Sequence, residues 1–294
     1  MSQPSEISLS ISVTPASATD TADITQGVPN GSIVGAPVTF TITAMANGQT
    51  QTIEVFSGAV PRSFTLQTTP DPNDTTGIVL VNGVPEHAWT VFSGTTATIY
   101  SHTDSTYAVL TNQVSFNDIA GIPQANAIQA LANKLIINGV TPTTFDPQGG
   151  VTRAQFAALV IRALGLWNLG TTVRFPDVPS NSWAAPVIGS AVAESFIKGY
   201  PDGTFRPQVQ ITNAQMAVIV GRVMRFLNIP AGQTAVTPSD QATIPAWASQ
   251  DVALALSQGI MTTGADGAFH PDATTTRAQA AQIIWNLMQK AGIE

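Results

Sequence analysis

The sequence predicts a multidomain chain of 294 residues, all-β first and all-α after it. Two observations predict this. The hydrophobic period shifts from two to about 3.6 near residue 110, and a pattern of roughly sixty residues then recurs three times. The expected architecture is an N-terminal immunoglobulin-like β-sandwich over residues 1–110. A three-repeat helix-loop-helix module with a pseudo-threefold arrangement follows, over residues 111–173, 174–234 and 235–294.

The first domain opens with Ile7, Leu9, Ile11 and Val13 separated by Ser, an alternation that reads as a strand. Residues Val38 to Ala44 repeat it with β-branched side chains, which pack well on a pleated surface. Further short strands are expected around Ile53/Val55, Phe64/Leu66 and Ile78/Leu80, and from Trp89 to Tyr100. Turn signals at Pro29-Asn30-Gly31, Asn47-Gly48, Pro70 to Asp74, Asn82-Gly83 and Ser93-Gly94 separate them. About seven strands in this length suggest the sandwich. The density of Thr, Val and Gly argues against any helix here, and residues 104–114 read as a linker.

In the second part the first copy reads Phe116-x-Asp118, Phe145-x-Pro147, then Thr152-Arg153-Ala154-Gln155. The second reads Phe175-x-Asp177, Trp183, Gly199 through Phe205-x-Pro207, then Thr212-Asn213-Ala214-Gln215. The third reads Asp240, Trp247, Gly264 through Phe269-x-Pro271, then Thr276-Arg277-Ala278-Gln279. Phe145 precedes Arg153 by eight positions, as Phe205 precedes Asn213 and Phe269 precedes Arg277. Each copy predicts two amphipathic helices around a glycine-containing turn. The first carries Ile128, Leu131, Leu135 and Ile136 in copy one; the second carries Phe156, Leu159, Val160 and Leu164. Neither apolar face is large enough to stand alone, so the copies must share one core.

These residues resemble the S-layer homology (SLH) family, which typically occurs as three tandem motifs. The resemblance covers about residues 114–292 and leaves the first 110 outside it. It implies a compact helical module holding secondary polysaccharides of the bacterial cell wall, often pyruvylated ones. It also implies that the Arg of each box contacts the ligand.

The box itself is first a capping device. Thr followed three residues later by Gln satisfies two backbone donors at a helix start. Arg153 and Arg277 are different, because a cation at the first helical position opposes the macrodipole. With the free N–H groups they would build an anion-binding corner, although a surface Arg paired with a nearby Asp stays open. Asn213 replaces Arg in copy two and cannot neutralise a carboxylate. Trp183 and Trp247 read equally as sugar platforms or core anchors, and Pro123 takes that place in copy one. Asp118, Asp177 and Asp240 could accept sugar hydroxyls, but capping the following turn is the stronger reading. Gly139, Gly199 and Gly264 could let a ligand approach the backbone.

Composition excludes several classes. There is no Cys, so disulfides and thiolate metal sites are absent, and the three His show no metal spacing. No catalytic motif or cofactor loop is present, so neither an enzyme nor a cofactor is expected. The net charge of −7 argues against nucleic acid, and no apolar run reaches the ~20 residues needed to insert in a membrane. Residues 1–111 hold eight of the 18 acids and only Arg62 among the 11 bases, so the excess negative charge sits there. The repeats are neutral overall and can present arginines to an anionic polymer. The first six residues show no signal-peptide pattern, which fits a processed form or another route to a surface.

The expectation is therefore a non-catalytic anchor at a bacterial cell wall or S-layer, binding secondary cell-wall polysaccharide and displaying the β-domain. The competing expectation is a structural subunit of a surface lattice or a virion, self-assembling or docking a host wall. A wall-bound enzyme is a third.

Overall fold

A computed structural model describes residues 7–167 and 175–293. The reading of the first six residues and the expected boundary between residues 173 and 174 lie outside the described residues. Strand β1 (Ser8–Pro15) pairs antiparallel with the long β2 (Gly31–Ala46), which also carries the short β3 (Gln49–Thr52). Strands β4 (Val55–Thr65), β5 (Thr75–Val81), β6 (Val84–Ser93), β7 (Thr96–Thr103) and β8 (Thr106–Asn112) complete one antiparallel sheet. Its order is β1-β2-β8-β5-β6-β7-β4.

The immunoglobulin-like sandwich is corrected by this topology. Residues 84–88 of β6 pair with β5, and residues 89–93 pair with β7, so one strand belongs to both halves. A strand shared along its length bends a single sheet over its own core, where a sandwich would stack two separate sheets. The sheet curls into a half-barrel, and its inner face buries Val79, Ala88, Ile99, Tyr107 and Val109 against Phe40 and Phe64.

Two further expectations are overturned. Residues 104–114 are not a linker, because β8 lies at the centre of the sheet between β2 and β5. Helix is not excluded either: α1 (Ala18–Gly27) forms with Ser17 as its N-cap, accepting from the Asp20 N–H at 3.0 Å. Its Ile24, with Val28, packs on Ile78, Leu80, Ala108 and Leu110 of the sheet's outer face. Burial of a few side chains outweighs weak propensity here.

The helical part consists of α2 (Ala125–Asn133), α3 (Arg153–Leu164), α4 (Ala184–Ala193), α5 (Asn213–Phe226), α6 (Ser249–Ser257) and α7 (Arg277–Ala291). One core cluster runs through all three copies. The first helix of each copy stops where Leu135, Ser195 and Gly259 take φ of 63°, 62° and 67°. That left-handed step releases Ile136, Phe196 and Ile260 into the core, each at most 1% exposed. It also moves Leu135 off the α2 face expected for it, out against the β-domain.

Three backbone hydrogen bonds close a ring through the three copies. Val151 N–H donates to Thr275, Thr275 N–H to Ile211, and Ile211 N–H back to Val151, at 3.1, 3.3 and 2.9 Å. Each box therefore leans on the turn of another copy.

The two parts are fused through a polar seam. Asn112 Nδ2 donates to the Asn133 carbonyl and Lys134 Nζ to the Thr75 carbonyl, both at 3.1 Å. Trp89 packs against the helical core, and Gly165, with φ of 61°, sits so close that a Cβ would lie 2.9 Å from the Trp89 nitrogen. Burial pushes the Glu86 carboxyl up to about 7, opposed by the charge of Arg162. Burial, assisted by the Lys134 charge, pulls His87 down to about 3. No helix among the described residues is long and apolar enough to cross a membrane.

Candidate functional site

In copies one and three the capping boxes form as the sequence predicts. Thr152 and Thr276 each accept from the N–H three residues on, while Gln155 and Gln279 return a bond to the cap nitrogen. Copy two keeps only the first half: Thr212 accepts from Gln215, whose Nε2 turns instead to the Tyr200 hydroxyl at 3.1 Å.

Beyond the caps, each box grips the turn of the next copy round the ring. The Arg153 and Ala154 N–H groups donate to the Val209 and Pro207 carbonyls, Asn213 and Ala214 to Ala273 and Pro271, and Arg277 and Ala278 to Gly149 and Pro147. The N–H groups that would have formed an anion corner are thus used internally. The guanidinium groups do the same. Arg153 Nε and Nη2 donate to the Phe205 and Lys198 carbonyls at 3.0 and 3.1 Å. Arg277 Nε and Nη2 donate to Phe145 and Asn138 at 2.8 and 2.7 Å. Asn213, a shorter donor, reaches only the Phe269 and His270 carbonyls, at 3.2 and 3.0 Å.

Asp118, Asp177 and Asp240 hold these turns from the other side. Asp118 accepts from the Phe145 and Asp146 N–H groups, Asp177 from Phe205 and Arg206, and Asp240 from Phe269 and His270. The second residue of each pair takes a φ between 54° and 60°, a conformation the carboxylate bonds secure. In Asp240 the Phe269 N–H is the largest influence and holds its carboxyl below the usual range. In Asp118 and Asp177, desolvation pulls upward and the summed backbone N–H bonds outweigh it. These carboxylates read as turn caps.

The glycines also have packing roles. A Cβ at Gly139 would lie 2.6 Å from the Phe116 ring, and one at Gly199 2.4 Å from the Phe175 ring. Gly264 is not their counterpart. Its N–H bonds the Ala268 carbonyl as Val140 bonds Thr144 and Tyr200 bonds Thr204, so the position matching Gly139 is Thr263. Copy three has Pro238 where the others have Phe116 and Phe175, so no equivalent ring demands a glycine there.

Trp183 and Trp247 are 56% and 61% exposed, so neither is a core anchor. Trp183 lines a cleft of about 430 Å³ with Gly139, Val140, Gln155, Arg162 and Arg277, so all three copies contribute to one site. Burial lowers the Arg277 guanidinium somewhat, opposed by Asp146 and Asp118, and it stays charged. The corresponding cleft of copy three, about 180 Å³, offers Asn213, Thr262, Asn286 and Gln124 and has neither Arg nor Trp. In the cleft of copy two Tyr200 covers Arg153, which the box of copy one contributes. Arg153 lies 4.7 Å and Arg206 4.2 Å from its ring centre, and Arg153 is only 5% exposed.

Sequence reasoning missed Arg162, Gln155 and Tyr200. Arg162 lies nine residues beyond Arg153 on the same helix. Tyr200, against Val140 and Gly264, is the single turn position that differs most in bulk between copies.

The S-layer homology domain matches at residues 115–157, 174–217 and 239–281, leaving the β-domain unassigned. The chain carries three tandem S-layer homology domains. Their presence implies attachment at a cell wall or surface layer. Curated relatives include an amylopullulanase of Thermoanaerobacterium thermosulfurigenes, 35% identical over 64% of this chain and 10% of its own length. A cellulosome-anchoring protein of Acetivibrio thermocellus is 26% identical over 50% of this chain and 34% of its own. A middle cell wall protein of Brevibacillus brevis is 38% identical over 26% of this chain and 8% of its own. The chain thus spans about a third or less of each of these relatives, and the likeness lies in the module they share with it.

Proposed function

We propose that this SLH protein is a non-catalytic surface anchor whose helical module grips an acidic, pyruvylated secondary cell-wall polysaccharide, leaving the β-domain displayed. The observation that carries this is the cleft that the charged Arg277 and the exposed Trp183 line together with Gly139 and Val140. An aromatic face with a nearby guanidinium suits a sugar ring bearing a carboxylate. The same arrangement ranks the three clefts. Copy one's is open and cationic, in copy two's Tyr200 covers the guanidinium of Arg153, and copy three's lacks charge. The surface and anchoring proteins among the relatives support this reading, and the glycosidases bear the module beside regions this chain does not match.

Calorimetric titration of the full chain with purified wall polysaccharide, with and without its acidic substituents, tests it. Trp183→Ala and Arg277→Gln should each weaken binding about tenfold or more, and removing the acid should reproduce the Arg277→Gln loss. Folding is checked on the same samples by circular dichroism. Undiminished binding by both folded variants would place the polymer elsewhere.

A further inference from the structure

The sheet's two outer edges are built differently. Edge strand β4 contains Pro61 and Arg62 and breaks register between Val55 and Val60, devices that blunt an edge. Edge strand β1 has none of these before its final Pro15, and its register with β2 is unbroken over eight residue pairs. Every residue of β1 is exposed. Ile7, Leu9, Ile11 and Val13 form one row, each between 54% and 68% exposed. The row shares its face with Ala44, Ile42 and Phe40, opposite them in β2, and Phe40 belongs to the inner core. Among the described residues, the apolar lining of the half-barrel therefore runs out onto an uncovered strand with an open backbone edge.

We propose that β1 docks a second copy of this chain, the two β1 strands pairing antiparallel about a two-fold axis. Three features select a second copy. Residues 7–15 and 31–52 contain no charged side chain, so two such wings meet without the repulsion that the net charge of −7 sets up elsewhere. The row is self-complementary, as an isologous contact requires. Residues directly opposite in an antiparallel pair share a face, so apolar must meet apolar. Placing Ser10 on the axis sets Leu9 against Ile11 and Ile7 against Val13 of the other copy, with Ser8 against Ser12 behind them. Finally, the contact is small. An edge of eight residues spans about 27 Å, which falls short of the ~800 Å² per partner of a stable standard interface. The dimer is accordingly weak and concentration-dependent, consistent with neighbours in a surface array.

The absence of Cys gives a clean background for the test. Mild oxidation of the full-length Ser10→Cys variant should yield a covalent dimer, whereas Ser63→Cys, exposed on the β4 edge, should not. Sedimentation equilibrium over a concentration series should show reversible dimerisation that Ile11→Lys weakens about tenfold or more, with its thermal melt unchanged. Three results would each overturn the proposal. One is a chain monomeric up to about 1 mM, the weak end of the affinity scale. The others are equal cross-linking through Ser10→Cys and Ser63→Cys, or dimerisation that Ile11→Lys leaves intact.

Discussion

Replacing Arg153 with Ala separates a structural arginine from a ligand-binding one. As a surface residue at a helix start, its loss would alter stability by less than about 1 kcal/mol. The structure predicts more. Arg153 is 5% exposed and its two bonds to the Phe205 and Lys198 carbonyls join copy one to copy two. Hydrogen bonds from a charged donor contribute about 1.5–3 kcal/mol each, and truncation leaves acceptors without a partner. The contacts with the Tyr200 and Phe205 rings, 4.7 and 5.0 Å from the guanidinium, add about 0.5–2 kcal/mol. Discounting for relaxation and water entry, the expected loss is about 3–4 kcal/mol. In urea denaturation that lowers the midpoint by about 1 M if the slope is unchanged. Polysaccharide affinity of the folded protein should stay nearly constant, because Tyr200 already covers this guanidinium. A loss under about 1 kcal/mol accompanied by collapsed binding would refute the reasoning and return Arg153 to the ligand.

Asn213→Arg should add a cationic contact to copy three's cleft. Calorimetry with a monovalent acidic fragment should then show higher stoichiometry and a steeper salt dependence, and unchanged values would remove that cleft from the binding surface. Glu86 has a folded pKa of about 7 against an ordinary 4.5, so the folded state holds its proton more tightly. The stability this contributes is complete below about pH 4.5 and is lost as pH rises through 7. Glu86→Gln should therefore stabilise by about 1–3 kcal/mol at pH 8 and change little at pH 4, as read by paired thermal melts. His87 carries the opposite slope, its contribution present above about 6.5 and lost as pH falls toward 3. A Glu86→Gln effect equal at both pH values would show that Glu86 does not titrate with folding.

What could be read in the sequence was what repeats or acts locally. Fixed spacing exposed the three copies, and Thr152-x-x-Gln155 named its own cap because both partners lie within one turn. β8 was invisible as a strand for the opposite reason. Buried on both faces at the sheet centre, it shows no alternation to contrast with solvent. α1 buries Ile24 as its one fully covered side chain, too few to write a helical stripe. The seam is harder still. Glu86, His87, Lys134 and Asn133 each look like ordinary surface residues until chain segments fifty or more positions apart come together. The roles of Arg153 and Asp118 were hidden similarly, because their acceptors and donors are backbone groups that sequence does not distinguish.

The ring that joins the three copies sets an order on folding. Arg277 reaches back to Phe145 and Asn138 across 132 and 139 positions, so the turn of the first copy is completed by the second helix of the third. Closing so long a loop carries an entropy penalty that grows only slowly with length, yet it must be met before the contacts it permits can form. A nascent chain therefore emerges with its first cleft lacking a wall. The module gains its open cationic cleft late, when α7 arrives and the circle shuts.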